Sequence, residues 1–272
     1  MKRGLVIGNS HAAMVMEAQT ARREESVASF DLAYFTEPGD GPAGVKFARG
    51  RMRAIDPRLV DFLDRSGSPR RHILDDYDFA LIVGCGASLY QAMPMLRNSV
   101  VQGWPSAVAR RGKLGLKNGK PGVHLISAAC YRDGLLARMR ATISAGLYAG
   151  LRSTWDGSVF VAPQPRPCAR LRDMTERPSM FRRAEKAGDG PEITRVFDET
   201  LQVLFEGARI LRQPAETLDG ELFTARRYTE DARRLIDLNT GFDEDDVLHA
   251  NRLYGEKLLV AVDMALSDPQ TP

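Results

Sequence analysis

Gly4-Leu-Val-Ile-Gly-Asn-Ser-His-Ala-Ala-Met-Val-Met16 is the stretch from which the fold can be read. Gly4 to Ile7 is a short β-prone run, Asn9-Ser10 supplies a turn, and His11 to Arg23 is helix-prone, so the chain opens as strand, turn, helix. The same alternation continues outward. Phe30 to Phe35 reads as a second strand, and Glu37 to Gly44 is crowded with Pro and Gly and must be loop. Phe79 to Val83 is a continuous apolar run between Asp78 and Gly84, the pattern of a strand buried on both faces of a parallel sheet.

Further along, Ala87 to Val101 is expected as a helix, Val123 to Ala129 as a strand, and Leu135 to Leu151 as a helix. Ser158 to Ala162 is a strand closed by Pro163-Gln-Pro-Arg-Pro167. Residues 170 to 190 are charged and poor in large apolar groups, which suits a surface loop or lid. Ile193 to Leu211 places Val196, Phe197, Thr200, Leu201, Leu204 and Phe205 at helical spacing, and Ala250 to Leu266 reads as the last helix. Strands alternating with helices imply an α/β sandwich with a mainly parallel sheet, one domain over residues 1 to 272 with an excursion around 170 to 215. In such sheets sites gather at the carboxyl ends of strands. Ser10, Gly84-Cys85-Gly86 and Gln164 all lie at expected strand ends and so belong on one rim.

Composition narrows the function. The 272 residues are 43% hydrophobic and 27% charged, a globular balance. The 38 basic residues are offset by 35 acidic ones, leaving a formal charge of +3. Basic clusters at Arg22-Arg23, Arg49 to Arg53, Arg70-Arg71 and Arg110 to Lys120 lack interleaved aromatics, so no nucleic-acid partner is expected. Cys85, Cys130 and Cys168 are an odd number without metal-ligand spacing, and the four histidines do not cluster with them; neither a metal nor a cofactor is expected. Met1-Lys2-Arg3 runs directly into the first strand without a long apolar region or cleavage site, and no apolar run approaches the ~20 residues of a membrane span. A cytoplasmic protein with no membrane partner is the expectation; oligomeric state is left open.

Chemistry is concentrated at the two ends. Ser10 sits where a helix N-terminus offers amide groups and a positive dipole end to a developing oxyanion, although a serine or asparagine there is also an ordinary helix cap. Asp246-Val-Leu-His249 places a carboxylate three residues before a histidine, close enough to share one turn. There an aspartate can fix the imidazole tautomer and stabilise the imidazolium formed when the other ring nitrogen takes a serine proton. The plainer alternative is an acidic entry to the following helix. Cys85, between two glycines at a strand end, is a rival nucleophile of lower rank. His11 either shapes the pocket or is a first-turn helix residue, and Asn251 and Tyr254 read as supports of the histidine turn.

Val6-Ile-Gly-Asn-Ser-His11 and Asp246-Val-Leu-His249 resemble the first and closing motifs of the SGNH, or GDSL-like, serine hydrolases, at opposite ends of the chain and in that family's order. Asp76 to Gly86 is similar to the strand leading to the family's third motif, and Phe160 to Pro167 to its later proline-terminated strand. The resemblance implies a flavodoxin-like three-layer α/β/α sandwich, a Ser10, His249, Asp246 triad and an acyl-enzyme. Asn9 stands where the family has Asp, and the oxyanion-hole asparagine has no counterpart: its position is nearest Gly86, with the Gly86 amide or the Gln164 side chain as replacements. The family's glycine after the second strand is any of Gly39, Gly41, Gly44 or Gly50. The implied activity is hydrolysis of small acyl esters, carbohydrate esters first. The alternatives are O-acyl transfer to a sugar hydroxyl, or a catalytically weak member that binds a glycan or another ligand. Nucleotide binding is disfavoured because Gly8-Asn9-Ser10 lacks both the dinucleotide glycine fingerprint and a P-loop lysine. Arg170, Arg172, Arg182 and Arg183 either contact an anionic substrate or keep a lid soluble.

Overall fold

A computed structural model describes residues 1–109, 123–176 and 179–267. The basic stretch Arg110 to Lys120 lies outside the described residues. Five strands form the central sheet: β1 (Lys2–Gly8), β2 (Phe30–Thr36), β3 (Phe79–Val83), β4 (Ser158–Ala162) and β5 (Arg209–Ile210). Every pairing between them is parallel and the order is β5-β4-β3-β1-β2. This is the flavodoxin-like arrangement, in which the strand order reverses between β1 and β3. Leu5, Val6 and Ile7 of β1 and all five residues of β3 are fully buried, as central parallel strands covered on both faces require. Gly4 is needed for close approach: a Cβ there would collide with the Phe79 ring.

One face is covered by α1 (Ala12–Glu24) and the C-terminal helix Arg252–Ser267, packed on Val6, Leu81, Phe79 and Phe160. The other carries the larger cluster, built on Leu5, Ile7, Ala80, Ile82 and Val161. Helices α2 (Ala128–Arg140), α3 (Ile143–Arg152), α4 (Met180–Ala187) and α5 (Gly190–Leu204) contribute to it, and the C-terminal helix is α6. The three-layer sandwich expected from the strand and helix alternation is therefore the observed fold.

Local departures have local causes. Ala87 to Val101 is not a helix but two short 3₁₀ turns, Leu89–Ala92 and Pro94–Leu96, followed by a strand, Ser99–Val101. Pro94 has no N–H to continue a helical ladder and opens the second turn, while the Ser88 hydroxyl accepts the Tyr90 amide at 3.2 Å and starts the first. His124–Ile126 is a strand, yet it pairs with Ser99–Val101 in a separate ribbon rather than in the central sheet. The helix expected over Leu135 to Leu151 is two helices, broken where Thr142 caps α3 by accepting the Ala145 amide at 3.4 Å. Within residues 170 to 190, α4 buries Phe181 and Ala184, so an amphipathic helix stands where loop was expected. Its two large apolar contacts were obscured by the surrounding charges.

Candidate active site

Ser10 follows β1 and the turn Gly84-Cys85-Gly86 follows β3, so both lie at the reversal point of the strand order. The two turns abut. Gly84, Cys85 and Gly86 all have positive φ, +68°, +50° and +85°. A Cβ on Gly84 would strike the Asn9 carboxamide and approach the His11 ring, and one on Gly41 would strike the Cys85 sulfur and crowd Asn9. The left-handed turn is thus what allows β3 to end directly beneath the serine. Asn9 completes this junction: its Nδ2 donates to the Gly39 carbonyl at 3.2 Å and its Oδ1 accepts the His11 amide at 3.3 Å. Of the four glycines left open by the sequence, Gly39 and Gly41 are the two that meet the Ser10 turn.

The C-terminal segment arrives from the far end of the chain. Ser10 Oγ lies 2.9 Å from His249 Nε2, across 239 residues of sequence. His249 Nδ1 lies 3.1 and 3.2 Å from the two Asp246 oxygens, and the His249 amide donates to Asp246 Oδ2 at 3.0 Å. One aspartate therefore closes the turn through the backbone and orients the ring through Nδ1. Burial pushes the Asp246 carboxyl upward, but hydrogen bonds from the His249 ring, its amide and the Leu248 amide outweigh this and hold it below the usual carboxylate range. An ionised Asp246 accepts from Nδ1–H, which leaves Nε2 as the acceptor of the Ser10 hydroxyl proton.

The His249 ring is stacked between Phe242, with centroids 3.7 Å apart and planes within 7°, and His11, 4.9 Å away at 28°. Nothing in the Asp-x-x-His spacing pointed to Phe242; an aromatic seven residues upstream of the histidine is the only trace it leaves in sequence. His11 is buried, and desolvation first, then the neighbouring His249, pushes its pKa down to about 3. It is a neutral plate beside His249, and it does not carry a competing charge. The Gln164 backbone amide donates to the Ala87 carbonyl at 2.7 Å, and the buried His11 Nδ1 finds no hydrogen-bond partner.

Backbone amides at the two turns are further candidate donors. Among the described residues no acceptor is found for the N–H of Ser10 or of Gly86. Gly86 also borders a pocket of about 390 Å³ lined by Asp40, Gln91, Arg138 and Thr142. The Arg138 guanidinium is steadied there by the Gln91 carbonyl and side-chain oxygens, each at 3.1 Å. Cys85 is fully buried, and burial raises its thiol far above the range in which thiolate forms. Asn251 caps the end of α6 nearest His249, accepting the Tyr254 amide at 3.3 Å, and its Nδ2 ties down the Arg227 and Glu230 carbonyls at 2.8 and 2.7 Å. Tyr254 is buried in the core beneath it. Among the described residues no group of His, Cys, Asp and Glu is arranged to hold a metal, and no helix is long and apolar enough to cross a membrane.

No protein-family model matches the chain, and no curated protein matches it in sequence. Solved structures align with it at low similarity. The periplasmic domain of a lipopolysaccharide acetyltransferase from Salmonella ser. Paratyphi A aligns over 98% of this chain and 85% of its own, at 11% identity and a TM-score of 0.40. A gut microbial diltiazem-metabolizing enzyme aligns over 95% of this chain, 8% identical, with a TM-score of 0.40; this chain spans 46% of that one. A further solved chain aligns over its whole length and that of this chain at 10% identity and a TM-score of 0.38. Likeness at this level carries no argument about this chain.

Proposed function

We propose that the chain is a serine-dependent acyl-ester hydrolase in which Ser10, His249 and Asp246 act as a triad. The observation that carries this reading is the continuous contact from Ser10 Oγ to His249 Nε2 at 2.9 Å and from His249 Nδ1 to Asp246 at 3.1 Å. Ser10 Oγ attacks the ester carbonyl carbon as His249 Nε2 takes its proton, and Asp246 stabilises the resulting imidazolium. The Ser10 and Gly86 amides are the donors available to the carbonyl oxygen as it becomes an oxyanion. Collapse breaks the bond to the leaving oxygen, which takes the proton back from His249, and an acyl-serine remains. Water, deprotonated by the same nitrogen, then releases the acid; a hydroxyl acceptor in its place gives transfer. Asp40, Gln91, Arg138 and Thr142 around the pocket beside Gly86 favour a polar, hydroxylated leaving group such as a sugar.

Turnover of p-nitrophenyl acetate by the wild-type chain and by folded Ser10→Ala, His249→Ala and Asp246→Asn variants tests the proposal. Each substitution is expected to lower kcat by about ten-thousandfold. Activity that survives in Ser10→Ala excludes this serine as nucleophile.

A further inference from the structure

A second cavity lies behind the histidine turn. It is a groove of about 880 Å³, larger than the pocket beside Gly86 and within the range of small-molecule sites. Its walls come from four separate parts of the chain: the 3₁₀ turns after β3, the 3₁₀ turn Ala169–Arg172, helix α4, and the closing turn itself. Met93, Leu171, Phe181, Val247 and Leu248 make those walls apolar. Val247 and Leu248 are the two residues between Asp246 and His249, so whatever fills the groove rests against the turn that holds both. Tyr90 lines the groove edge-on to Phe181, with centroids 4.7 Å apart, and its buried hydroxyl finds no hydrogen-bond partner.

The rim has one sign of charge. Arg97, Arg183 and Lys186 border the groove, all exposed, and among its described lining residues none is acidic. Glu185, the carboxylate nearest in sequence on α4, is turned away into an ion pair with Arg172 at 2.6 Å. An apolar trough with a cationic lip is complementary to a molecule with an apolar tail and an anionic head.

We infer that this groove binds a medium-chain fatty carboxylate as a monomer, its hydrocarbon chain along Met93, Leu171 and Phe181 and its carboxylate at Arg183 and Lys186. Guanidinium and ammonium groups at the lip supply charge-assisted hydrogen bonds to the carboxylate, while each buried methylene adds apolar contact. The inference stands on the groove alone and does not require Ser10 to be a nucleophile. It does place the bound chain against the His–Asp turn, so occupancy and the geometry of that turn are linked.

Isothermal titration of the full chain with hexanoate, octanoate and decanoate, all below their micelle concentrations, and with neutral octanamide tests the inference. Affinity is expected to rise about fourfold per added methylene (about 0.8 kcal/mol) until the groove is full. Octanoate should bind at least tenfold more tightly than octanamide. Arg183→Gln with Lys186→Gln, both at exposed positions and with folding checked by circular dichroism, should remove that preference and leave octanamide binding intact. Affinity independent of chain length, an octanamide affinity equal to that of octanoate, or an unchanged preference in the double variant would overturn it. So would binding to phosphatidylglycerol vesicles without binding to octanoate, which would make the lip a membrane contact. Titrating Ser10→Ala alongside separates the two sites: unaltered binding with lost turnover upholds both readings, whereas turnover without fatty-acid binding rejects the groove alone.

Discussion

At the residue scale, one imidazole is held from four directions. Asp246 holds its Nδ1 edge, Ser10 meets its Nε2 edge, and Phe242 and His11 cover its faces. Stacked rings of this kind contribute about 0.5–1.5 kcal/mol beyond their buried area, and here that energy restricts the ring to the plane in which both edges are satisfied. Phe242→Ala is therefore expected to lower kcat about 3- to 10-fold with KM little changed, measured on p-nitrophenyl acetate; a rise in KM at constant kcat would make Phe242 a substrate contact instead. The contact among Ser10, His249 and Asp246 was foreshadowed in the sequence by their spacing and order. The stacking of Phe242 on His249 was not, because it depends on how a distant loop lands on the turn.

At the element scale, the site depends on how closely β1, β3, α1 and α6 can approach one another. Strands β1 and β3 were readable as unbroken apolar runs, and α1 and α6 as helices adjoining the two motifs. The tightness of the α1–α6 contact was not readable. A Cβ on Gly255 would fall on the Met14 backbone carbonyl and press on Ala18, so this glycine sets the separation of the two helices. Asp263 reinforces the same contact by pairing with Arg22 and Ser29. Because α6 begins three residues after His249, moving it also moves the histidine turn. Gly255→Ala is expected to destabilise the fold by about 1–3 kcal/mol through overpacking, despite alanine's better helix propensity; urea denaturation that shows a gain in stability would contradict this. The helix missed in residues 180–187 and the false helix at 87–101 mark the reverse limit, where Pro94 and a charged surround dominate local pattern.

At the scale of the whole molecule, burial of neutral histidines ties stability to pH. Desolvation is the largest cause in both cases, pushing His11 to about 3 and His72 to about 4. The unfolded chain protonates both rings below about pH 6.5, whereas the native protein refuses these protons until far lower pH. Their contribution is thus fully present above about pH 6.5 and declines as pH falls toward 4. Each histidine should remove about 1.4 kcal/mol per pH unit in that window. Denaturant titrations at pH 7, 6, 5 and 4 are expected to show the decline, and a His72→Asn variant a shallower one; a flat profile would mean that the rings are protonated in the native state. Sheet order, by contrast, was legible only as a class: alternation implied a parallel sheet, but the reversal between β1 and β3 that brings Ser10 beside Gly84-Cys85-Gly86 emerges from packing of the complete chain. The same long-range closure brings His249 to Ser10, and on it the functional account rests. Reaction of the native protein with a fluorophosphonate, followed by peptide mass spectrometry, tests that account most directly. The account predicts a single adduct on Ser10 that disappears in His249→Ala; labelling at another residue, or no labelling of the folded wild-type chain, would contradict it.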